Sequence, residues 1–152
     1  MADSSSGVDR TAAEAMLRAM HEHQVGSSTA DLAASIHPQA EMRLFVSFHR
    51  LLKGREAAVE ALESGRQAEI FRASVERFEW LDEQTALTFA RARYALEQGG
   101  FAEGRVVWLD EIRDGLIWRV RNFRQEAEAR AAYESGEDIE AGESASGRSS
   151  SR

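Results

Sequence analysis

The sequence contains no cysteine, one proline and a single lysine among its 152 residues. The absence of cysteine excludes disulfide bonds, thiolate metal sites and a cysteine nucleophile. No apolar run approaches the roughly 18 residues that a membrane-spanning helix needs, so we predict no membrane segment. The first ten residues, MADSSSGVDR, have neither the basic nor the apolar region of a secretory signal. We therefore expect a cytoplasmic protein.

Acidic residues outnumber basic residues, and the net charge is −7. A nucleic-acid partner is not expected, since neutralising phosphates requires a basic surface or stripe. The sequence has no glycine-rich phosphate loop, serine nucleophile elbow or HExxH motif. His21 and His23 lie two residues apart near a predicted helix end, so they point to different faces. Interaction of these imidazoles with the helix C-terminus is the simpler interpretation, and we expect neither a metal nor a cofactor.

The length favours one domain flanked by two polar ends. We predict disorder for residues 1–9 and for residues 135–152, where Ile139 is the only large apolar side chain. Residues 10–134 then form the folded domain.

Helical and strand periodicities alternate along this domain. The capping-box spacing of Thr11 and Glu14 predicts a first helix that ends near His23. A short second helix runs over 28–36 and is ended by Pro38. A strand over 40–48, a third helix opened by Gly54, four long strands and a final helix follow. The long strands are predicted over residues 71–81, 85–98, 101–113 and 116–124, and the final helix over 125–134.

The connections between the long strands are short, and Asp114-Gly115 is the strongest hairpin signal. Short hairpins force antiparallel pairing. The predicted fold class is therefore α+β, in the order α-α-β-α-β-β-β-β-α, with a curved antiparallel sheet wrapped around the N-terminal helices. Such an arrangement is a cone with a central pocket that suits a small molecule.

Three segments resemble the SnoaL-like branch of the nuclear transport factor 2-like superfamily. They are DLAASIHPQAEMRL, LLKGREAAVEAL and VVWLDEIRDGLIWRVRNFRQEAEA, and the resemblance covers residues 10–134. It implies a curved sheet, a deep pocket and a homodimer formed through the outer sheet face. The superfamily contains isomerases, epoxide hydrolases, cyclases, dehydratases and binding proteins, so the fold alone does not give the function.

Strand alternation predicts which side chains face the pocket. The two arginines of residues 85–98 are costly to bury unpaired, so the opposite face, with Tyr94, is taken as the interior. On the following strands, Trp108 and Asp110 share one face, and so do Trp118, Val120 and Asn122. The predicted ligand-binding residues are Met20, Met42, Leu44, Tyr94, Trp108, Trp118, Val120 and Asn122.

The resemblance also permits a test against known catalytic residues. The ketosteroid isomerase set falls on Leu44, Met20 and Trp108, which cannot move a proton. The limonene-epoxide hydrolase positions fall on Ala90, Ala92 and Asn122, which lack the required charges. We therefore expect neither the ketosteroid isomerase mechanism nor the limonene-epoxide hydrolase mechanism.

Two residues remain as catalytic candidates. Asp110 lies on an otherwise apolar face and can serve as a general acid or base, as the acidic residue of SnoaL-type cyclases does. His49 lies in a loop that can rim the pocket mouth. Three functions stay open: binding of a small, largely apolar molecule without catalysis; an isomerase, cyclase or dehydratase using Asp110; and a structural homodimeric module whose pocket is filled by its own side chains.

Overall fold

The computed structural model describes residues 9–23 and 28–136, so most of both predicted disordered ends lies outside the described residues. Within them, four helices and six strands alternate along the chain. The elements are α1 Arg10–His21, α2 Thr29–Ser35, β1 Ile36–Arg43, β2 Leu51–Lys53, α3 Arg55–Ala68, β3 Phe71–Trp80, β4 Thr85–Ala95, β5 Phe101–Arg113, β6 Leu116–Phe123 and α4 Glu126–Ser135. None of the described helices is long and apolar enough to cross a bilayer.

The strands form one sheet in the order β2-β1-β6-β5-β4-β3. The α+β class and the curved sheet are confirmed, but the expectation of purely antiparallel pairing is wrong at one place. β1 runs parallel to β6, while the other neighbouring pairs are antiparallel. The cause is the connection through α3, which carries the chain to the opposite edge before four hairpin-linked strands return to β1.

The beginning of the sheet differs most from the sequence-based prediction. β1 starts at Ile36 and ends at Arg43, so Pro38 lies within a strand and not in a loop. The register with β6 shifts between Ile36 and Glu41, and such an irregularity tolerates a residue without an N–H. A 3₁₀ turn, Phe45–Ser47, replaces the predicted end of the strand and turns Phe45 inward, where it is buried. Strand β2 was not predicted, because three residues are too few to show a period.

The helices begin at side-chain caps. Asp9, and not the predicted Thr11, caps α1 by accepting a hydrogen bond from the Ala12 backbone N–H at 3.2 Å. Ser28 caps α2 in the same way, 3.1 Å from the Asp31 nitrogen. The carboxylate and hydroxyl oxygens satisfy backbone donors that have no partner inside the helix.

Two cores lie on opposite faces of the sheet. The inner core packs α1, α2 and α3 against the sheet and contains Leu17, Met20 and Trp108. The outer core is smaller and packs α4 against β4 and β5 through Leu87, Val107 and Leu109 together with helix alanines. α4 therefore covers part of the outer face that the resemblance assigns to a dimer interface.

Candidate functional site

A histidine–aspartate pair lies in the inner core. Asp110 is fully buried in the inward-facing row of β5. Its Oδ2 lies 2.9 Å from Nε2 of His21 and accepts a hydrogen bond from the Thr88 hydroxyl at 2.5 Å. Its Oδ1 is buried without a hydrogen-bond partner among the described residues. The sequence prediction that Asp110 faces an apolar interior matches its position here, but its partner was not predicted.

His21 is the last residue of α1, and in addition to its predicted place at the helix end it has a buried partner, Asp110. The residue is 4% exposed, and its ring stacks on Trp108 with ring centroids 3.9 Å apart. A sequence signal for this burial existed, because His21 continues the inward stripe of Ala13 and Leu17 at four-residue spacing. The helix end positions the imidazole, and Trp108 fixes its plane.

A small cavity adjoins this pair. Its volume is about 20 Å³, close to the space that one water molecule occupies. The wall is largely apolar and aromatic and includes Met20, His21, Leu44, Phe45, Val46, Leu62, Phe71 and Trp108, with His23 and Arg66 at one side. We call this space the inner cavity.

A larger cleft lies next to the inner cavity. It has a volume of about 620 Å³ and shares His23, Arg66 and Phe71 with the inner cavity. The remaining lining residues are Glu22, Glu69, Arg72, Ala73 and Arg93. We call this space the outer cleft. Displacement of Phe71 would join the two spaces, because this side chain belongs to both walls.

The predicted ligand-binding residues fall into three groups. Met20, Leu44 and Trp108 line the inner cavity. Four others are buried in the interior without belonging to that wall, and they are Met42, Tyr94, Val120 and Asn122. Trp118 belongs to neither group.

Trp118 is turned out of the interior by a bulge, which corrects the predicted inward row of β6. Glu111 pairs with Arg119 and Ile112 with Ile117, so Trp118 is an extra residue opposite no partner. Its ring is partly exposed and lies beside the guanidinium group of Arg119, 4.0 Å from the ring centroid. Ile117 takes the inward place and is fully buried. The bulge reverses the alternation over the first part of the strand only.

His49, the second catalytic candidate, lies in a different cluster from Asp110. Its Nδ1 lies 2.9 Å from Nδ2 of Asn122, and its ring meets the edge of Phe45. Burial and, after it, the positive charges of Arg124 and Arg43 lower the pKa of His49. The ring is therefore neutral at pH 7, and Nδ1 accepts from the Asn122 amide. The structure does not bring His49 to the His21–Asp110 pair.

A charged cluster closes the side of the inner cavity. Glu63 binds Nε2 of His23 at 2.8 Å and the Thr29 hydroxyl at 2.5 Å, and it also pairs with Arg66. The hydrogen bonds from Thr29 and Arg66 lower the pKa of Glu63 to about 2. The cluster ties the end of α1 and the start of α2 to α3. In the part of the chain that the structure describes, no group of three His, Asp or Glu side chains is placed to hold a metal.

No protein-family model matches the sequence, and no curated protein does. Solved structures share its fold. An NTF2-like protein of unknown function from Cytophaga hutchinsonii has a TM-score of 0.56 and 10% identity, over 74% of this chain and 95% of its own. A putative SnoaL-like polyketide cyclase from Jannaschia sp. has a TM-score of 0.55 and 14% identity, over 80% and 90%.

A third structure, from Mycobacterium tuberculosis, contains estradiol-17beta-hemisuccinate. It has a TM-score of 0.58 and 14% identity, over 80% of this chain and 96% of its own. These likenesses confirm the nuclear transport factor 2-like fold expected from the sequence.

Proposed function

We propose that this protein binds a small, largely apolar molecule in the inner cavity and moves a proton on it through His21. The reaction is of the isomerase, cyclase or dehydratase kind. The observation that carries this proposal is the buried His21–Asp110 pair in an aromatic wall. Solved structures of the same fold include one with a bound steroid ester and one described as a cyclase, and both support the proposal.

The pair is costly for stability, which is why it points to function. Removing a carboxylate from water costs several kcal/mol, and ion pairs in protein interiors often stabilise less than apolar side chains of similar volume. Asp110 also leaves one oxygen without a hydrogen bond among the described residues. Unsatisfied buried groups of this kind concentrate at functional sites, where local rules of stability are broken.

The geometry assigns a role to each atom of the pair. A carboxylate oxygen only accepts, so Nε2 of His21 carries the hydrogen in the bond to Asp110. Nδ1 then keeps its lone pair and can accept a proton. A carbon-bound or hydroxyl proton of a ligand can pass to Nδ1, and the Asp110 carboxylate stabilises the resulting imidazolium. Asp110 is thus a positioning residue for His21 rather than the direct acid or base.

The test is proton exchange on a simple ketone. We expect the protein to accelerate replacement of the α-hydrogens of 2-tetralone by deuterium in D₂O, followed by proton NMR, by about 100-fold or more over buffer. His21→Gln removes the base and should abolish the acceleration. Asp110→Asn should reduce it strongly, because the amide favours the wrong tautomer.

His49→Gln is the matched control, since it changes a histidine that lies outside the cavity wall. It should leave the exchange rate close to that of the unchanged protein. Acceleration that survives His21→Gln in a folded variant would contradict the proposed mechanism.

A second candidate is a binding or structural module without catalysis. The small volume of the inner cavity favours it, because a ring can enter only when side chains such as Phe71 move. Binding of 2-tetralone without exchange would support the binding module. Absence of both would support the structural module.

The homodimer and the cytoplasmic location stay predictions. α4 is held on the outer face by an Arg130–Glu79 ion pair at 2.7 Å and a Tyr133–Asp82 hydrogen bond at 2.9 Å. A dimer that uses the outer face therefore has to form on the part that α4 leaves open, where Phe101 is exposed.

A further inference from the structure

Arg66 lies where the inner cavity meets the outer cleft and contributes to both walls. One end of its guanidinium group pairs with Glu63. Its Nε–H is buried and has no acceptor among the described residues. The junction of the inner cavity and the outer cleft therefore contains a charged guanidinium group that makes one hydrogen bond fewer than it could.

A buried donor without an acceptor is unusual and unfavourable. Roughly nine-tenths or more of buried backbone N–H and C=O groups, and most buried side-chain polar atoms, have a hydrogen-bond partner in proteins. The cost of leaving one unmade is larger when the group is charged. A ligand oxygen at this position would remove that cost, and the planar guanidinium group suits a carboxylate better than any other side chain does.

The charges around the outer cleft are compatible with an anionic group. Arg72 and Arg93 lie on its wall in addition to Arg66. Of the acidic wall residues, Glu22 is engaged by the Val75 backbone N–H at 2.7 Å and by Arg18. Glu69 is exposed just after α3.

Glu63 is the acidic group nearest to Arg66, and it is already held by three partners. The cleft volume of about 620 Å³ is in the range of small-molecule sites.

We propose that the ligand is an apolar carboxylic acid, whose ring enters the inner cavity and whose carboxylate is bound by Arg66 at the edge of the outer cleft. This inference rests on the proposed function for the apolar part of the ligand. Arg66 is then a residue that determines specificity for an acid over a neutral molecule of the same shape.

The test compares two probes of nearly equal shape, 2-naphthoate and the neutral 2-naphthamide, by isothermal titration calorimetry. We expect the unchanged protein to bind the naphthoate at least about tenfold more tightly than the amide. In Arg66→Gln the ratio should fall to near one, through weaker binding of the acid. Arg105→Gln, which removes the same charge from an exposed ion pair with Glu76, should keep the ratio.

The loss of the Glu63 pair can destabilise Arg66→Gln, so folding is checked by thermal unfolding. Arg66→Lys keeps the charge next to Glu63 but lacks the planar Nε–H, and its ratio should also fall. Equal binding of both probes by the unchanged protein would overturn the carboxylate assignment and leave binding of an apolar molecule intact. Failure of both probes to bind would overturn the proposed function as well.

Discussion

Replacing Trp108 by alanine is expected to lower the free energy of unfolding by about 3–5 kcal/mol. The ring is 1% exposed, stacks on His21 and meets the edges of Phe45 and Phe71. Alanine would remove these contacts and leave a cavity at the centre of the inner core, because the close-packed surroundings relax only partially around a deleted side chain.

Trp118→Ala is the matched control and should cost only about 1 kcal/mol. This tryptophan is partly exposed and packs beside arginine side chains at the bulge. Urea unfolding followed by far-ultraviolet circular dichroism measures both values. Equal losses for the two variants would mean that Trp118 faces the interior and that the bulge is misplaced.

The second large effect concerns the buried pair. Asp110→Leu should lower the free energy of unfolding by about 3–5 kcal/mol, because it leaves the His21 ring buried without its acceptor. The double variant His21→Leu/Asp110→Leu should regain most of that loss, since two apolar side chains suit the apolar surroundings. The Thr88 hydroxyl loses its acceptor in both variants, and this accounts for the free energy of unfolding that the double variant does not regain.

Urea unfolding of His21→Leu, Asp110→Leu and the double variant gives the coupling energy between His21 and Asp110. A large coupling supports the view that the pair is retained at the expense of stability. Additive losses would show that the two side chains do not depend on each other, and the buried pair would then give no indication of function.

The regular parts of this fold follow from the sequence because each long element repeats its period several times. The four strands from Phe71 to Phe123 and the helix α3 deviate from prediction by three residues at most. Short or irregular parts carry too little periodicity. β2 has three residues, and β1 contains a proline beside a register shift, so its start was placed four residues too late.

The site shows the same limit. Asp110 and Trp108 were predicted to face the interior, and they do, because β5 keeps its alternation around them. Leu44 was also predicted to face the interior and is buried, although it follows the end of β1 and caps the 3₁₀ turn. Trp118 was misplaced because a bulge is an extra residue that no hydrophobic pattern reveals. His21 was missed because a polar residue at a helix end has a simple local explanation, while its partner is 89 positions away in the chain.

The most direct test of the central claim is a crystal structure of the protein grown with 2-tetralone. We predict that the ring lies against Trp108 between Phe45 and Phe71, with Phe71 displaced toward the outer cleft. An α-carbon of the ketone should lie about 3–3.5 Å from Nδ1 of His21, a distance from which a proton can be transferred. A crystal saturated with the ketone in which the side chains of the inner cavity have not moved, or in which the ketone is bound elsewhere, would contradict binding and proton transfer at His21.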